Sequence, residues 1–247
     1  MRLWASLLLP AACQLAACHG TRPAPPAPPL AELEASFLAP GPLEVRFRAE
    51  AEGALSARID GVLLLDGEAR SRLRFRGTLA GEPVDVLRVC DGSRCGGRVG
   101  DTVQEPTAQP PGTREAWVLG LTRMGILHNV AVATGGGAPD HAGEDVRAWI
   151  RPEDVVGGEG SLAFDVVVDG ERAARARLFF DRANRPIRRE QTVFFAEGAM
   201  RVVETYASFA LGGAAPADAS FALPSEELEA HTELELDSRD SVILADP

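Results

Sequence analysis

Apolar and polar residues alternate with period two along much of the chain. Leu43, Val45, Phe47, Ala49 and Ala51 interleave with Glu44, Arg46, Arg48 and Glu50. Leu55, Ala57, Ile59, Gly61, Leu63 and Leu65 repeat the pattern, as do Leu73, Phe75, Gly77 and Leu79 between arginines. Each run reads as a strand with one buried and one wet face. Glu52-Gly53, Asp66-Gly67 and Gly81-Glu82-Pro83 supply the turns. Val84–Val89 adds a fourth strand, and a fifth is expected at Gly97–Val103. After the break at Glu105–Gly112 the period changes. Ala116–Ala133 is apolar on nearly all sides, apart from Arg123, His128 and Asn129. Such a stretch is expected to be a buried helix, N-capped by Thr113.

Period two then resumes. A strand is expected at Asp145–Ile150 and a loop at Val156–Gly160. Four strands follow, through Leu162–Val168, Ala174–Phe180, Pro186–Phe195 and Met200–Leu211. A short helix is expected at Leu30–Leu38, and Leu234 and Leu236 suggest a last strand. The predicted class is α+β but mainly β: a curved antiparallel half-barrel with an apolar helix packed in its concave face. A closed lipocalin-like barrel or a β-sandwich is the alternative.

The first residues follow a different logic. Arg2, the apolar run Leu3–Leu9 and small residues leading to Cys18 make an export signal, too short to span a bilayer. Leu15-Ala16-Ala17-Cys18 resembles the bacterial lipobox, which implies cleavage before Cys18 and acylation of its thiol. His19 after the cysteine implies passage to the outer membrane, facing the periplasm. Residues 21–29 are a Pro/Ala tether, extended and semi-rigid. The organisation read from the chain is therefore a signal at 1–17, a lipidated tether at 18–34, one domain at 35–224 and an acidic tail at 225–247.

Charge narrows the function. The net charge is −11, and removing the signal with its single charged residue Arg2 leaves −12. Such a chain repels nucleic acid and anionic headgroups, so membrane attachment is expected through lipid alone. Lysine is absent, which excludes P-loop, Schiff-base and Ser–Lys chemistry. Hydrolase and zinc-protease signatures are missing as well, so no catalytic residue, metal or cofactor is assigned.

Cys90 and Cys95 flank an Asp-Gly turn, and in an oxidising compartment they are expected to form a disulfide. The C-x4-C spacing argues against redox chemistry. The histidines His19, His128, His141 and His231 lack metal-site spacing with these cysteines. His128 and Asn129 are either contacts for a ligand headgroup or satisfied core groups. Arg70, Arg72, Arg74 and Arg76 form a stripe that reads as a wet outer face balanced by acids. Glu204 shares the phase of Met200, Val202 and Tyr206, and either faces inward against an arginine or marks an outward strand.

Long antiparallel strands, a mid-chain apolar helix, a lipobox and no catalytic motif together resemble the LolA/LolB-like superfamily, which includes RseB and LppX proteins. The resemblance spans residues 35–224 and is architectural. It implies a half-barrel whose hollow holds an acyl chain, with Val45, Phe47, Ile59, Leu63, Phe75, Phe164, Val166, Leu178 and Phe180 as lining. The expected function is to bind a lipid or other apolar ligand, without enzymatic activity, in lipoprotein or lipid trafficking. The alternative is an envelope interaction, sensor or structural protein whose apolar face only buries its own helix. In LolB an apolar residue projects from the loop after the third strand. The corresponding Leu79 keeps the alternation of its strand and reads as core.

Replacing Cys18 by Ser should abolish acyl labelling and move the protein from the membrane to the soluble fraction. Retention of label on the variant would exclude this attachment site.

Overall fold

The computed structural model describes residues 26–135, 150 and 154–224. The signal, Cys18, His19, His141 and His231, the expected strand before Ile150 and the acidic segment from Ser225 lie outside those residues.

Helix α1 (Leu30–Leu38) is followed by six strands: β1 (Leu43–Gly53), β2 (Ala57–Asp66), β3 (Arg70–Leu79), β4 (Glu82–Asp91), β5 (Arg94–Val99) and β6 (Thr102–Ala108). Next come α2 (Thr113–Leu119), a π-helical turn (Gly120–Met124) and α3 (Ile126–Thr134). The second meander is β7 (Val156–Gly158), β8 (Ser161–Val168), β9 (Glu171–Phe180), β10 (Pro186–Phe195) and β11 (Gly198–Leu211). A 3-10 turn spans Asp218–Phe221.

All eleven strands form one antiparallel sheet, ordered β6-β5-β4-β3-β2-β1-β11-β10-β9-β8-β7. Each meander pairs consecutive strands, and the two are joined where β1 meets β11 over the full length from Leu43↔Leu211 to Gly53↔Met200. The sheet is open, with β6 and the three-residue β7 at its edges. Short or exposed edge strands resist further pairing. Register shifts at Arg46/Phe47, Pro186/Arg188 and Val166/Val167 are bulges that bend and twist a strand, favouring curvature.

The alternation sorts the faces as expected. Leu43, Val45, Phe47, Ala49 and Ala51 are buried, and they share one core with Leu63, Phe75, Leu162, Phe164 and Phe209 and with the helices. Inward residues must fit across strands. Phe47 stands opposite Gly61, and a Cβ on Gly61 would lie 2.6 Å from the tip of the Phe47 ring and 2.6 Å from the Arg74 carbonyl oxygen. Cys90 and Cys95 are cross-strand partners on β4 and β5 and are joined in a disulfide. Leu79 packs against the core, as its phase indicates.

Three elements differ from the sequence reading. The expected fifth strand is two strands, β5 and β6, because Gly100 takes a φ of +57° and its N–H donates to the Asp85 carbonyl, making a turn. Val156–Gly158, expected as loop, pairs with β8. The expected single helix is broken at Gly125, whose φ of +91° no helix accommodates. Its N-cap is Gly112, and the Thr113 hydroxyl instead donates to the Pro110 carbonyl.

Gly61→Val should destabilise the fold by about 2–3 kcal/mol, since neither the Phe47 ring nor the ladder backbone can yield. Chemical denaturation measures this, and the paired variant Gly61→Val with Phe47→Leu should recover part of the loss.

Candidate functional site

The helical layer lies on the inner face of the sheet, with α2 against β3 and α3 reaching β4. Trp117 is fully buried and its indole N–H donates to the Ser71 hydroxyl, 3.0 Å. The ends and the break of this layer are held by buried charge. Arg114 donates to three backbone carbonyls at once: Phe37 (3.0 Å), Gly41 (2.8 Å) and Gly67 (2.7 Å). It thereby satisfies the last turn of α1 and the turn after β2.

Glu34 of α1 and Arg123 of the π-helical turn form a buried bidentate pair, 2.7 and 2.8 Å. The Thr122 hydroxyl adds a bond to Glu34, 3.0 Å. Arg123 is thus paired with an acid.

Glu204 faces inward, directly opposite Arg189 in the β10–β11 register. The two converge on Gly125, where a Cβ would lie 2.5 Å from Glu204 Oε1 and 3.1 Å from Arg189 Nε. Arg189 donates to the Thr122 and Arg123 carbonyls, 2.8 and 2.6 Å, at the end of the π-helical turn. Glu204 accepts the Leu127 N–H, 3.1 Å, at the start of α3. The pair caps both sides of the break, with signs that suit the helix dipoles. The Tyr206 hydroxyl donates to Glu204 at 2.6 Å, and Arg189 also donates to Gln191 and stands 5.5 Å over the Phe164 ring. Burial lowers the Arg189 pKa against the pull of Glu204. Burial, reinforced by Glu204, pushes the Tyr206 phenol well above its ordinary value.

The nine expected lining residues Val45, Phe47, Ile59, Leu63, Phe75, Phe164, Val166, Leu178 and Phe180 are gathered on this inner face, at 0–5% exposure beneath the helices. Asn129 is fully buried and donates to the Trp117 carbonyl, 3.0 Å, while its Oδ1 packs against Gly120. His128, one residue earlier, is half-buried. A cleft of about 310 Å³ sits between the start of α1 and β7–β8, walled by Ala27, Pro29, Leu30, Ile150, Val155 and Leu162. Glu34 and Arg123 supply its polar side. None of the nine residues lines it. The sequence signal for Glu34, Arg114 and Arg189 was weak, because each sits in an ordinary amphipathic run and acquires its role only from a distant carbonyl or acid.

No family model matches the chain, and no curated protein matches it. Among solved structures, the crystal structure of MucB matches with a TM-score of 0.38 and 16% identity, covering 80% of this chain and 62% of MucB. The crystal structure of a LolA superfamily protein from Nitrosomonas europaea matches with a TM-score of 0.34 and 11% identity, covering 81% of this chain and 98% of that one. At these values the likeness is loose, and no functional argument rests on it.

Tyr206 is the single tyrosine of the chain, so absorbance near the phenolate band reports it alone. No phenolate should form through the ordinary tyrosine range, at about pH 10, until the protein unfolds. Because the folded pKa is raised, the stability it contributes is complete below the ordinary value and is lost as pH rises through the folded one. Glu204→Ala should cost about 3–5 kcal/mol by leaving the Leu127 N–H and the Tyr206 hydroxyl buried without their acceptor and the Arg189 cation without its neighbouring charge, and Glu204→Gln less. Phenolate formation in the folded protein at the ordinary pKa would contradict the buried arrangement.

Proposed function

We propose that this protein is a non-enzymatic lipoprotein of the bacterial envelope, anchored through Cys18, whose domain binds an acyl chain or similar apolar ligand. The observation that carries the proposal is the cleft beside α1. Its volume is at the lower end of the range for small-molecule sites, roughly 300–1,000 Å³. Its walls are apolar, and its polar groups are a mutually neutralised pair, Glu34 with Arg123. That composition suits a hydrocarbon chain better than a charged metabolite, with a gain of about 25 cal/mol per Å² of apolar surface covered.

Position supports the same reading. Pro26 bridges to Glu159 beside the cleft, and Ala27 is part of its wall. Pro26 lies eight positions after Cys18, and a chain of that length spans at most about 28 Å. A lipidated Cys18 would hold the cleft close to the bilayer, within reach of a lipid leaving it. The Cys90–Cys95 disulfide fits an exported, oxidising location.

A second reading, an interaction or sensor protein without ligand, is favoured by the dense packing of the inner face under its helices. Extraction of the natively purified protein separates the two. A stoichiometric acyl species supports the carrier, and Ala31→Trp, at the exposed rim of the cleft, should displace most of it without changing the thermal unfolding. An empty domain that also fails to take up a fluorescent fatty acid supports the second reading.

A further inference from the structure

If the cleft beside α1 is the ligand site proposed above, its polar wall also selects the headgroup of the ligand. Among the described residues that wall is Glu34 and Arg123. Their side chains are deeply buried, at 5% and 8% exposure. They are locked to each other. Arg123 Nε donates to Glu34 Oε1 at 2.7 Å, and Nη2 donates to Oε2 at 2.8 Å. This is the forked edge with which a guanidinium grips a carboxylate or phosphate. Glu34 already holds it, so an anionic headgroup would have to displace a buried acid from its partner.

The carboxylate is less saturated than the guanidinium edge. Oε1 accepts from Arg123 and from the Thr122 hydroxyl, 3.0 Å. The single Thr122 hydrogen is shared with the Val118 carbonyl, 2.9 Å. Among the described residues, Oε2 accepts from Arg123 Nη2 alone. A carboxylate has about four acceptor sites, so Oε2 keeps one open.

A buried anion with an open acceptor site favours a donor and disfavours a second anion. A hydrogen bond to a charged acceptor is stronger than one to a neutral group. A ligand carboxylate at the same place would instead face Glu34 with little water between them, and like charges at close range oppose ionisation. The adjoining segments carry the same sign. Glu32 in the first turn of α1, Asp154 before Val155 and Glu159, bridged to Pro26, are exposed acids. Salt screens these three, so the deciding group is Glu34.

We propose that the cleft takes uncharged acyl compounds with an N–H or O–H beside the chain, such as acyl amides and acylglycerols, in preference to free fatty acids. The chain lies along Leu30, Ile150 and Leu162, and the donor bonds to Glu34 Oε2. Glu34 determines the specificity, and Arg123 positions it.

The test uses the full chain with Cys18→Ser, which removes an acyl group that could compete, after extraction of bound lipid. Titration calorimetry at about pH 8, far above the carboxylate range, compares decanamide, methyl decanoate and decanoate. Decanamide should bind roughly tenfold more tightly than either of the others, the size of one hydrogen bond to a charged acceptor. Ala31→Trp should weaken all three together. Glu34→Gln should invert the preference, because Arg123 is then free to grip decanoate while the amide loses its charged acceptor. If Glu34→Gln does not fold, the comparison of the three ligands without it decides alone. Decanoate or methyl decanoate binding as tightly as decanamide, with all of it lost in Ala31→Trp, would overturn the headgroup preference and leave the cleft as the apolar site. An unchanged order in folded Glu34→Gln would do the same. No binding of any of the three, or binding untouched by Ala31→Trp, would overturn the cleft as the ligand site and the preference with it.

Discussion

The inner layer depends on how the helix break at Gly125 is satisfied. A break buried over a sheet leaves carbonyls on one side and N–H groups on the other without intrahelical partners. Water cannot reach them. Arg189 and Glu204, opposite one another on β10 and β11, supply a donor fork to the carbonyls and an acceptor to an N–H. Because two adjacent strands carry the pair, helix position and strand register determine each other. A slip of one residue in β10 would turn Arg189 to the other face, and one in β11 would turn Glu204, and either would orphan one side of the break.

The same device recurs around the helical layer. Arg114 ties α2 to the end of α1 and to the turn after β2, and Arg123 ties the π-helical turn to Glu34. Arginine suits each place, since its planar fork bonds several acceptors at once and stays charged when buried. A lysine-free chain builds its buried cations from a side chain that tolerates burial. The cost of burying these ions is met by specific partners, so the helices sit in one arrangement rather than sliding over an apolar floor.

That anchoring bears on ligand binding. With the helices pinned, the apolar residues of the inner face share one buried core with them. A cleft opens where α1, β7 and β8 meet and the tether enters the domain. The cleft and the entry of the chain into the domain thus lie at one end of the sheet. The hairpin turns at Gly53, Gly81 and Gly198 lie at the other end.

Period-two alternation determined most of the strands, their inward faces and the antiparallel class, because a pleated strand half buried in a core admits few other patterns. Local chemistry likewise determined the turns and the Cys90–Cys95 pairing. What the sequence left open was settled by contacts distant along the chain. The apolar run from Ala116 to Ala133 reads as one helix, since the left-handed backbone at Gly125 is fixed by Glu204 and Arg189 from strands more than sixty residues away. The burial of Arg72 and Arg74 was equally hidden, because their phase places them on the face that is normally wet. The nine apolar residues read as one inward face, and tertiary packing places them in a single core with residues of the helices. Alternation specifies which side of a strand is apolar, whereas tertiary structure decides what that side touches.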